Sequence, residues 1–403
     1  MHELFTTGNI ILKTLESHGY KGYFVGGCVR DHHMGRTIND VDITTDALPE
    51  DIERIFEHTI DVGKEHGTII VLVEDTPFEV TTFRTESEYS DFRRPDQVIF
   101  TRDLYSDLER RDFTMNAMAM NDDFTIIDPY DGMDAISHRM IATVGLASER
   151  FNEDALRILR AARFSSQLQF EVSEETRRAM AEHAENLRHV AVERSVTELT
   201  KLYLGMDPKR GKVLVVDTRL NKYLPFFDRV DDASFLRTDV RSLEDELALQ
   251  IHLSPELAQS LSALKLSNAV KSYIGNIIRL LDMVDSASIR ELAYGFDTGI
   301  LANAISMIQA NGWLETGDRR AHLQSALNMK PALPIADASE IDLDGHALMT
   351  LFNARGGRWI RTVLTAVEQE ILYGRLENDR YKIIEWVKAH VEFEAGDIKI
   401  TEK

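Results

Sequence analysis

The chain contains a single cysteine, Cys28, in 403 residues. That excludes an internal disulfide and fits a reducing compartment such as the cytoplasm. Long apolar runs are also missing. The longest, Ile69 to Val73, falls far short of the ~20 residues that a membrane-spanning helix needs. The opening stretch MHELFTTGNIILKTLESHGY has no basic start and carries Glu3, Glu16 and His18 among its apolar residues, so it does not read as a signal peptide. No membrane association is expected. Positive charge is scarce: 46 Lys and Arg stand against 67 Asp and Glu, a formal net charge of −21. Averaged over the chain, this argues against a polyanionic partner, because phosphate contacts need Lys and Arg. The deficit is uneven, however. From Arg139 to Tyr203, ten basic residues meet ten acidic ones, which leaves room for a locally basic surface. Fixed-period repeats and low-complexity segments are absent as well.

What is present divides into a mixed front and a helical remainder. Residues 9–18 pattern as a helix ended by Gly19, and GYFV (22–25) as a short strand closed by Gly26-Gly27. A helix over about 28–34, a strand over 41–45 and a helix from Pro49 to about His58 follow. GTIIVLVEDTPFEVTTFR (67–84) reads as two strands around an Asp75-Thr76-Pro77 turn. RRDFTMNAMAM (110–120) reads as a helix, and FTIIDPYDG as a strand with an exit turn. From about residue 148 onward helical patterns dominate, so the expected class is α+β followed by an all-α remainder.

The chemistry concentrates in three places. In DVD (40–42), strand alternation puts Asp40 and Asp42 on one side and Val41 on the other. Two such carboxylates repel unless a cation lies between them, and hard oxygen ligands suit Mg²⁺. Alone, D-x-D more often marks a capped turn and a solvated acid. Here it follows Gly26-Gly27, set between a strand and a helix start, where backbone N–H groups can cradle phosphate. Arg30 lies in the same short helix. NEDALRILRAAR (152–163) is the third place. Asn152 reads as an N-cap, Ala155, Ile158, Leu159 and Ala162 as an apolar stripe, and Asp154, Arg157, Arg160 and Arg163 as the opposite half. Asp154 and Arg157 are helical neighbours at i, i+3. A carboxylate accepts hydrogen bonds and a guanidinium donates them. Such a pair fits the Watson–Crick edges of cytosine and adenine, with an amino group beside a ring acceptor, and mismatches guanine and uracil.

FVGGCVRDHHMGRTINDVDITT, RRDFTMNAMAM and EDALRILRAARF together closely resemble the class II tRNA nucleotidyltransferases, the CCA-adding enzymes of the polymerase-β superfamily. The likeness is dense over residues 1–165, looks like the Gram-positive bacterial version, and is loose beyond about 210. It implies a polymerase-β-type head (1–138), a helical neck for base recognition (139–203), a helical body (204–290) and a helical tail that binds tRNA (291–403). It implies that Gly27, Arg30 and Arg111 meet the incoming nucleotide, that Asp40 and Asp42 are catalytic and hold Mg²⁺, and that Asp154 and Arg157 read the base. Arg160 and Arg163 would support that pair or meet phosphates. Glu79, expected on a strand beside Asp40–Asp42, is a candidate third carboxylate and equally a solvated strand residue.

The relatives separate on local features. Poly(A) polymerases carry a basic Gly-Arg-Arg-Phe-like core before the third carboxylate strand, whereas this chain has VGKEHGTIIVLVED there. CC-only relatives lack a flexible loop ahead of RRDF, and TESEYSDFRRPDQV (85–98) is long and polar enough to be that loop. No His-Asp doublet occurs, so an appended metal phosphohydrolase domain is not expected. The tail segment DLDGHALMTLFNARGGRWIRTVL (342–364) departs from the family in having Gly356-Gly357 where a Pro-Gly turn is usual. The expected partners are therefore the acceptor–T arm of tRNA, ATP and CTP, and the acidic helical surface permits a homodimer. A non-catalytic RNA-binding module with the same head is the rival reading. It would be favoured by loss of an aspartate or of Arg157, and neither is lost.

Overall fold

The computed structural model describes residues 3–87, 97–394 and 397–400. Packing divides the chain into two compact units. One comprises Met1–Glu246 with Leu253–Ser267, the other Leu247–His252 with Asn268–Lys403.

The first unit is built on a seven-stranded sheet. Helix α1 (Glu3–Ser17) buries Phe5, Ile11, Leu12 and Leu15 along one stripe. Gly8 belongs to that stripe because a Cβ there would come within 2.9 Å of the Phe24 ring. Then come β1 (Gly22–Val25), α2 (Gly27–His33), β2 (Asp42–Thr45), α3 (Pro49–Ile55), β3 (Thr59–Gly63), β4 (Thr68–Val73) and β5 (Thr76–Thr82). The arms β6 (Arg84–Ser87) and β7 (Gln97–Phe100) pair antiparallel with each other. The expected loop 85–98 thus has paired ends, and its residues 88–96 lie outside the described ones. Helix α4 (Leu104–Glu109) precedes β8 (Ala119–Met120) and β9 (Ile126–Ile127). The sheet order is β3-β4-β5-β2-β1-β8-β9. Strand β2 is central, parallel to β5 with Ile43 opposite Val80, and antiparallel to β1 with Asp42 opposite Val25.

Two expectations from sequence are corrected here. Residues 110–120 do not form a helix: a single 3₁₀ turn at Thr114–Asn116 leads into β8. Met118, Ala119 and Met120 are all fully buried, and side chains buried on every side carry no period that separates strand from helix. Nor does one helix run through 152–163. Helix α5 (Gly132–Ser137) and strand β10 (Met140–Ile141) are followed by α6 (Ala147–Glu153), a break at Asp154-Ala155, and α7 (Leu156–Leu168). Asn152 is inside α6 rather than capping a helix, and Asp154 has extended backbone (φ −137°, ψ 104°). Strand β11 (Glu171–Val172) pairs parallel with β10. Helices α8 (Glu174–Glu182), α9 (Val192–Tyr203), α10 (Pro208–Asp217), α11 (Asp232–Arg237) and the first residues of α12 (Leu243–Leu253) complete the helical part, Leu247–His252 of α12 belonging to the second unit.

Within it, Lys212 of α10 is buried with its Nζ 2.9 Å from a Glu246 carboxylate oxygen and 2.6 Å from Thr238 Oγ1. Neither ion reaches water, so each depends on the other. Lys212→Met is expected to cost about 3–5 kcal/mol in denaturant unfolding, with much of that recovered in Lys212→Met/Glu246→Leu, because breaking one half of a buried pair strands the other charge. A double variant as unstable as the single one would show that packing, not charge, sets the cost.

The second unit is helical from Asn268 to His390, with a core that includes Leu348, Val363, Val367, Ile371, Ile383 and Val387. It closes with β12 (Val391–Glu394) and β13 (Asp397–Ile400), an antiparallel pair where only helix was expected. Among the described residues no helix is long and apolar enough to cross a membrane.

Candidate active site

The edge of the central strands opens on a cleft of about 890 Å³. Asp40, Asp42, Gly27, Arg30, Arg111, Asp154, Arg157, Arg160 and Arg163, all singled out from sequence, line this one cleft, and so does Glu79. Their positions follow from local structure. Gly26 links β1 to α2 at φ 79°, a conformation that favours glycine, and a Cβ there would stand 3.1 Å from Arg111 Nη1. The steric demand for glycine therefore falls on Gly26. At Gly27 a Cβ would meet its nearest atom at an ordinary 3.6 Å.

Strand β2 begins only at Asp42, yet the expected alternation of exposure is present: Asp40 and Asp42 are exposed and Val41 is buried. Glu79 joins them because it immediately precedes Val80, which pairs with Ile43. The Asp42 side chain meets cleft solvent, but the cleft is recessed. That loss of hydration, then Asp40, then Glu79, push its carboxyl up to about 6, against a smaller opposing effect of Arg111. An anion cluster that raises its own proton affinity in this way fits a divalent cation. Among the described residues no three His, Cys, Asp or Glu side chains form a ready-made metal cage. An open carboxylate pair that leaves positions for water and substrate oxygens is the arrangement Mg²⁺ favours. Cys28 lies beneath, its thiol pushed up to about 12 by burial and then by Asp42, and is inert as a nucleophile at neutral pH.

The arginines are held by buried carboxylates. Asp107, fully buried and not anticipated from sequence, accepts from Arg110 Nε (3.0 Å) and Arg111 Nη2 (3.2 Å). Burial alone would raise its pKa, but the two guanidiniums outweigh it and the carboxyl sits below its usual range. Arg30 donates Nη1 to Asn116 Oδ1 (2.6 Å), Asn116 donates Nδ2 to Asp112 Oδ1 (3.1 Å), and Arg160 donates Nε to Asp112 Oδ2 (2.6 Å). A buried chain of hydrogen bonds thus ties α2 to α7. Burial opposes the charge on Asp112, yet Arg160 first, and then Asn116, hold it down to about 2, ionised throughout the physiological range. Phe164 forms a common plate: the guanidinium carbons of Arg30, Arg160 and Arg163 lie 5.2, 5.5 and 4.0 Å from its ring centroid. Arg163 also lies 3.1 Å from Glu198, and burial with neighbouring Arg160 lowers its pKa to about 10, still charged at neutral pH.

The proposed base-reading pair is arranged differently from the i, i+3 helical neighbours expected. Asp154, at the helix break, accepts from Leu156 N (3.0 Å) and from Arg194 Nη2 (2.9 Å). Arg157 donates to Glu153 (2.5 Å) and to the carbonyl of Arg110 (2.8 Å). The two side chains line the same cleft, each fixed by its own partners. The arginine half of α7 is no solvated face, since Arg157 and Arg163 are buried. Arg194 of α9 also enters the cleft. Asp112, Asn116 and Phe164 were missed. Asp112 and Asn116 stand in the quoted RRDFTMN, but nothing in their spacing distinguishes buried bridges from exposed polar residues.

Residues 22–142 match the poly A polymerase head domain, 169–230 the probable RNA and SrmB-binding site of polymerase A, and 245–387 the putative tRNA nucleotidyltransferase domain 2. The CCA-adding enzyme of Staphylococcus aureus strain MSSA476 is 40% identical over 396 residues, covering 96% of this chain and 99% of the relative. The crystal structure of the Bacillus stearothermophilus CCA-adding enzyme in complex with CTP matches with a TM-score of 0.82 at 35% identity, over 96% of this chain and 98% of that one. The Thermotoga maritima CCA-adding enzyme complexed with tRNA shares the fold at a TM-score of 0.62 and 20% identity, over 94% of each chain.

Proposed function

The chain belongs to the CCA-adding enzyme family of tRNA nucleotidyltransferases, and from that membership we propose that it adds C, C and A to the 3′ end of tRNA from CTP and ATP, releasing pyrophosphate. One observation carries the reading: a metal-type carboxylate pair, a glycine turn with arginines, and an Asp/Arg base-reading set all face one cleft. The tRNA 3′-hydroxyl attacks the α-phosphate in line, the O–P bond to pyrophosphate breaks, and the hydroxyl proton leaves to solvent or a cleft carboxylate. Asp40 and Asp42 would hold Mg²⁺, which would supply charge neutralisation and activation of the hydroxyl. Arg30 and Arg111 bind the triphosphate beside Gly26-Gly27, their forks preset by Asn116, Asp31 and Asp107. Asp154 presents an acceptor and Arg157 a donor to the base, and Arg160 stiffens the wall behind them. Residues 1–138 act as catalytic head, 139–203 as base-reading neck, and 204–290 and 291–403 as body and tail that hold the acceptor–T arm by shape and phosphate contacts. The reaction takes place where tRNA is matured, in the cytoplasm.

The test is incorporation into a tRNA transcript lacking its last three nucleotides, with Mg²⁺ and CTP, ATP, both, GTP or UTP. The expected product is two C's, one A, then arrest, with neither GTP nor UTP used. Two C's and a stop would assign the chain to CC addition, a long A tail to poly(A) synthesis, and no incorporation to a binding module.

A further inference from the structure

The base-reading set described so far has two members, Asp154 as acceptor and Arg157 as donor. A third side chain is built into the same wall. Arg194, in the first turn of α9, lines the nucleotide cleft and gives Nη2 to Asp154 Oδ2 at 2.9 Å. The two arginines come from different elements. Arg157 stands on α7, with its guanidinium tied to Glu153 of α6 and to the carbonyl of Arg110. Arg194 comes from α9, which packs against α7. Asp154, at the break before α7, holds one oxygen on Leu156 N and the other on Arg194.

A guanidinium carries five N–H groups in a planar fork. Arg194 gives one of them to Asp154, and its Nη1 is buried with no hydrogen-bond partner. A buried donor left unpaired is costly and rare in a folded chain, and a ligand that completes the bond recovers the cost. The side chain as a whole is 31% exposed, so it is reachable from the cleft while the carboxylate fixes its plane.

Adenine and cytosine differ on the side of the amino group away from the ring nitrogen that Arg157 would meet. In adenine the N6 amino group is flanked by N1 and by N7, both acceptors. In cytosine N4 is flanked by N3 and by a C–H group. A protein edge of donor, acceptor and donor therefore matches three positions on adenine and two on cytosine. Guanine also has N7, but its O6 would face the Asp154 carboxylate as acceptor against acceptor.

We propose that Arg194 is a specificity-determining residue that reads adenine N7: Asp154 with Arg194 takes the N6–N7 edge, while Asp154 with Arg157 takes N6 and N1. The inference rests on the CCA-adding reading and deepens it. Asp154 and Arg157 admit both C and A, and Arg194 makes adenine the fuller match.

The probe is 7-deaza-ATP, in which C–H replaces N7 and the N6–N1 edge is unchanged. The full chain, wild type and Arg194→Ala, is given a tRNA transcript ending in C-C, with Mg²⁺ and either ATP or 7-deaza-ATP. In the wild type kcat/KM should be about 10- to 100-fold lower for 7-deaza-ATP, the worth of a hydrogen bond from a charged donor. In Arg194→Ala the two triphosphates should be used within about twofold of each other, as an interaction between these two groups requires. Each comparison is made within one protein, so a change in the fraction folded cancels, and a loosened Asp154 lowers both triphosphates alike. Equal use of ATP and 7-deaza-ATP by a wild type that completes C-C-A would overturn the contact and leave the CCA reading intact. So would an Arg194→Ala variant that keeps the full preference for ATP, since another group would then read N7. Affinity for each triphosphate is measured separately by calorimetry without RNA. A wild type that incorporates nothing, yet binds ATP about tenfold tighter than 7-deaza-ATP through Arg194, would sink the CCA reading and leave the contact standing. Equal affinities in such a protein would sink both.

Discussion

Asp42→Ala should abolish nucleotide incorporation, by at least about a thousandfold in single turnover, while the Kd for tRNA stays within about twofold. The loss follows from removing one of the paired carboxylates that would hold a cation, a contribution of several kcal/mol at about 1.4 kcal/mol per tenfold. Affinity should survive because the proposed tRNA contacts lie elsewhere in the chain, and the substitution removes negative charge from the cleft. Isolating the metal effect requires the fold to persist. Asp42 is exposed to the cleft, and the buried side chains of β2 that anchor it, from Ile43 to Thr45, are untouched. Normal turnover in the variant would dismiss the metal assignment. Lost turnover with equally lost tRNA binding would point instead to a structural role.

Asp154→Ala should lower the kcat/KM preference for CTP over UTP by about 10- to 100-fold, the worth of a good directional hydrogen-bonding pair to a base edge. Triphosphate affinity should change much less, since Arg30 and Arg111 are anchored by Asn116, Asp31 and Asp107 rather than by Asp154. Alanine also removes the acceptor for Leu156 N, worth about 1 kcal/mol of helix stability. Asp154→Asn separates the two effects by keeping a capping oxygen while making half of the group a donor. Arg194→Ala should show a smaller loss of selectivity, because it frees the carboxylate without removing it. Unchanged selectivity in both Asp154 variants would move base reading to another part of the cleft.

Much of this cleft was legible because its residue types, in their local order, point to ligand chemistry. A carboxylate pair alternating on a strand, a glycine pair at a strand–helix junction and an arginine-only helix face each imply a ligand, and all of them meet in one cleft. What remained hidden was the support. Asp107, Asn116 and Phe164 are common residue types whose importance comes from long-range burial, which no local spacing encodes. The break at Asp154 was missed because Asn152, Glu153 and Asp154 make a persuasive helix start, whereas they end the preceding helix α6, whose C-cap is Asp154. The final hairpin had a readable signal. VEFE and DIKI alternate apolar and charged residues around Ala395-Gly396, a strand period that the preceding helical run obscured.

The interruption between α6 and α7 bears on how such a protein changes over generations. Asp154 has extended backbone between the two helices, so a different side chain there interrupts neither of them and costs folding only about 1 kcal/mol, through the lost cap on Leu156 N. Gly26 is the opposite case, held by a left-handed backbone and a guanidinium at close quarters, where nearly any substitution disturbs the phosphate turn itself. On the proposed assignments, base preference rests on an editable position and phosphate handling on a fixed one. A lineage can drift in which nucleotide it accepts while its bond-making machinery stays still.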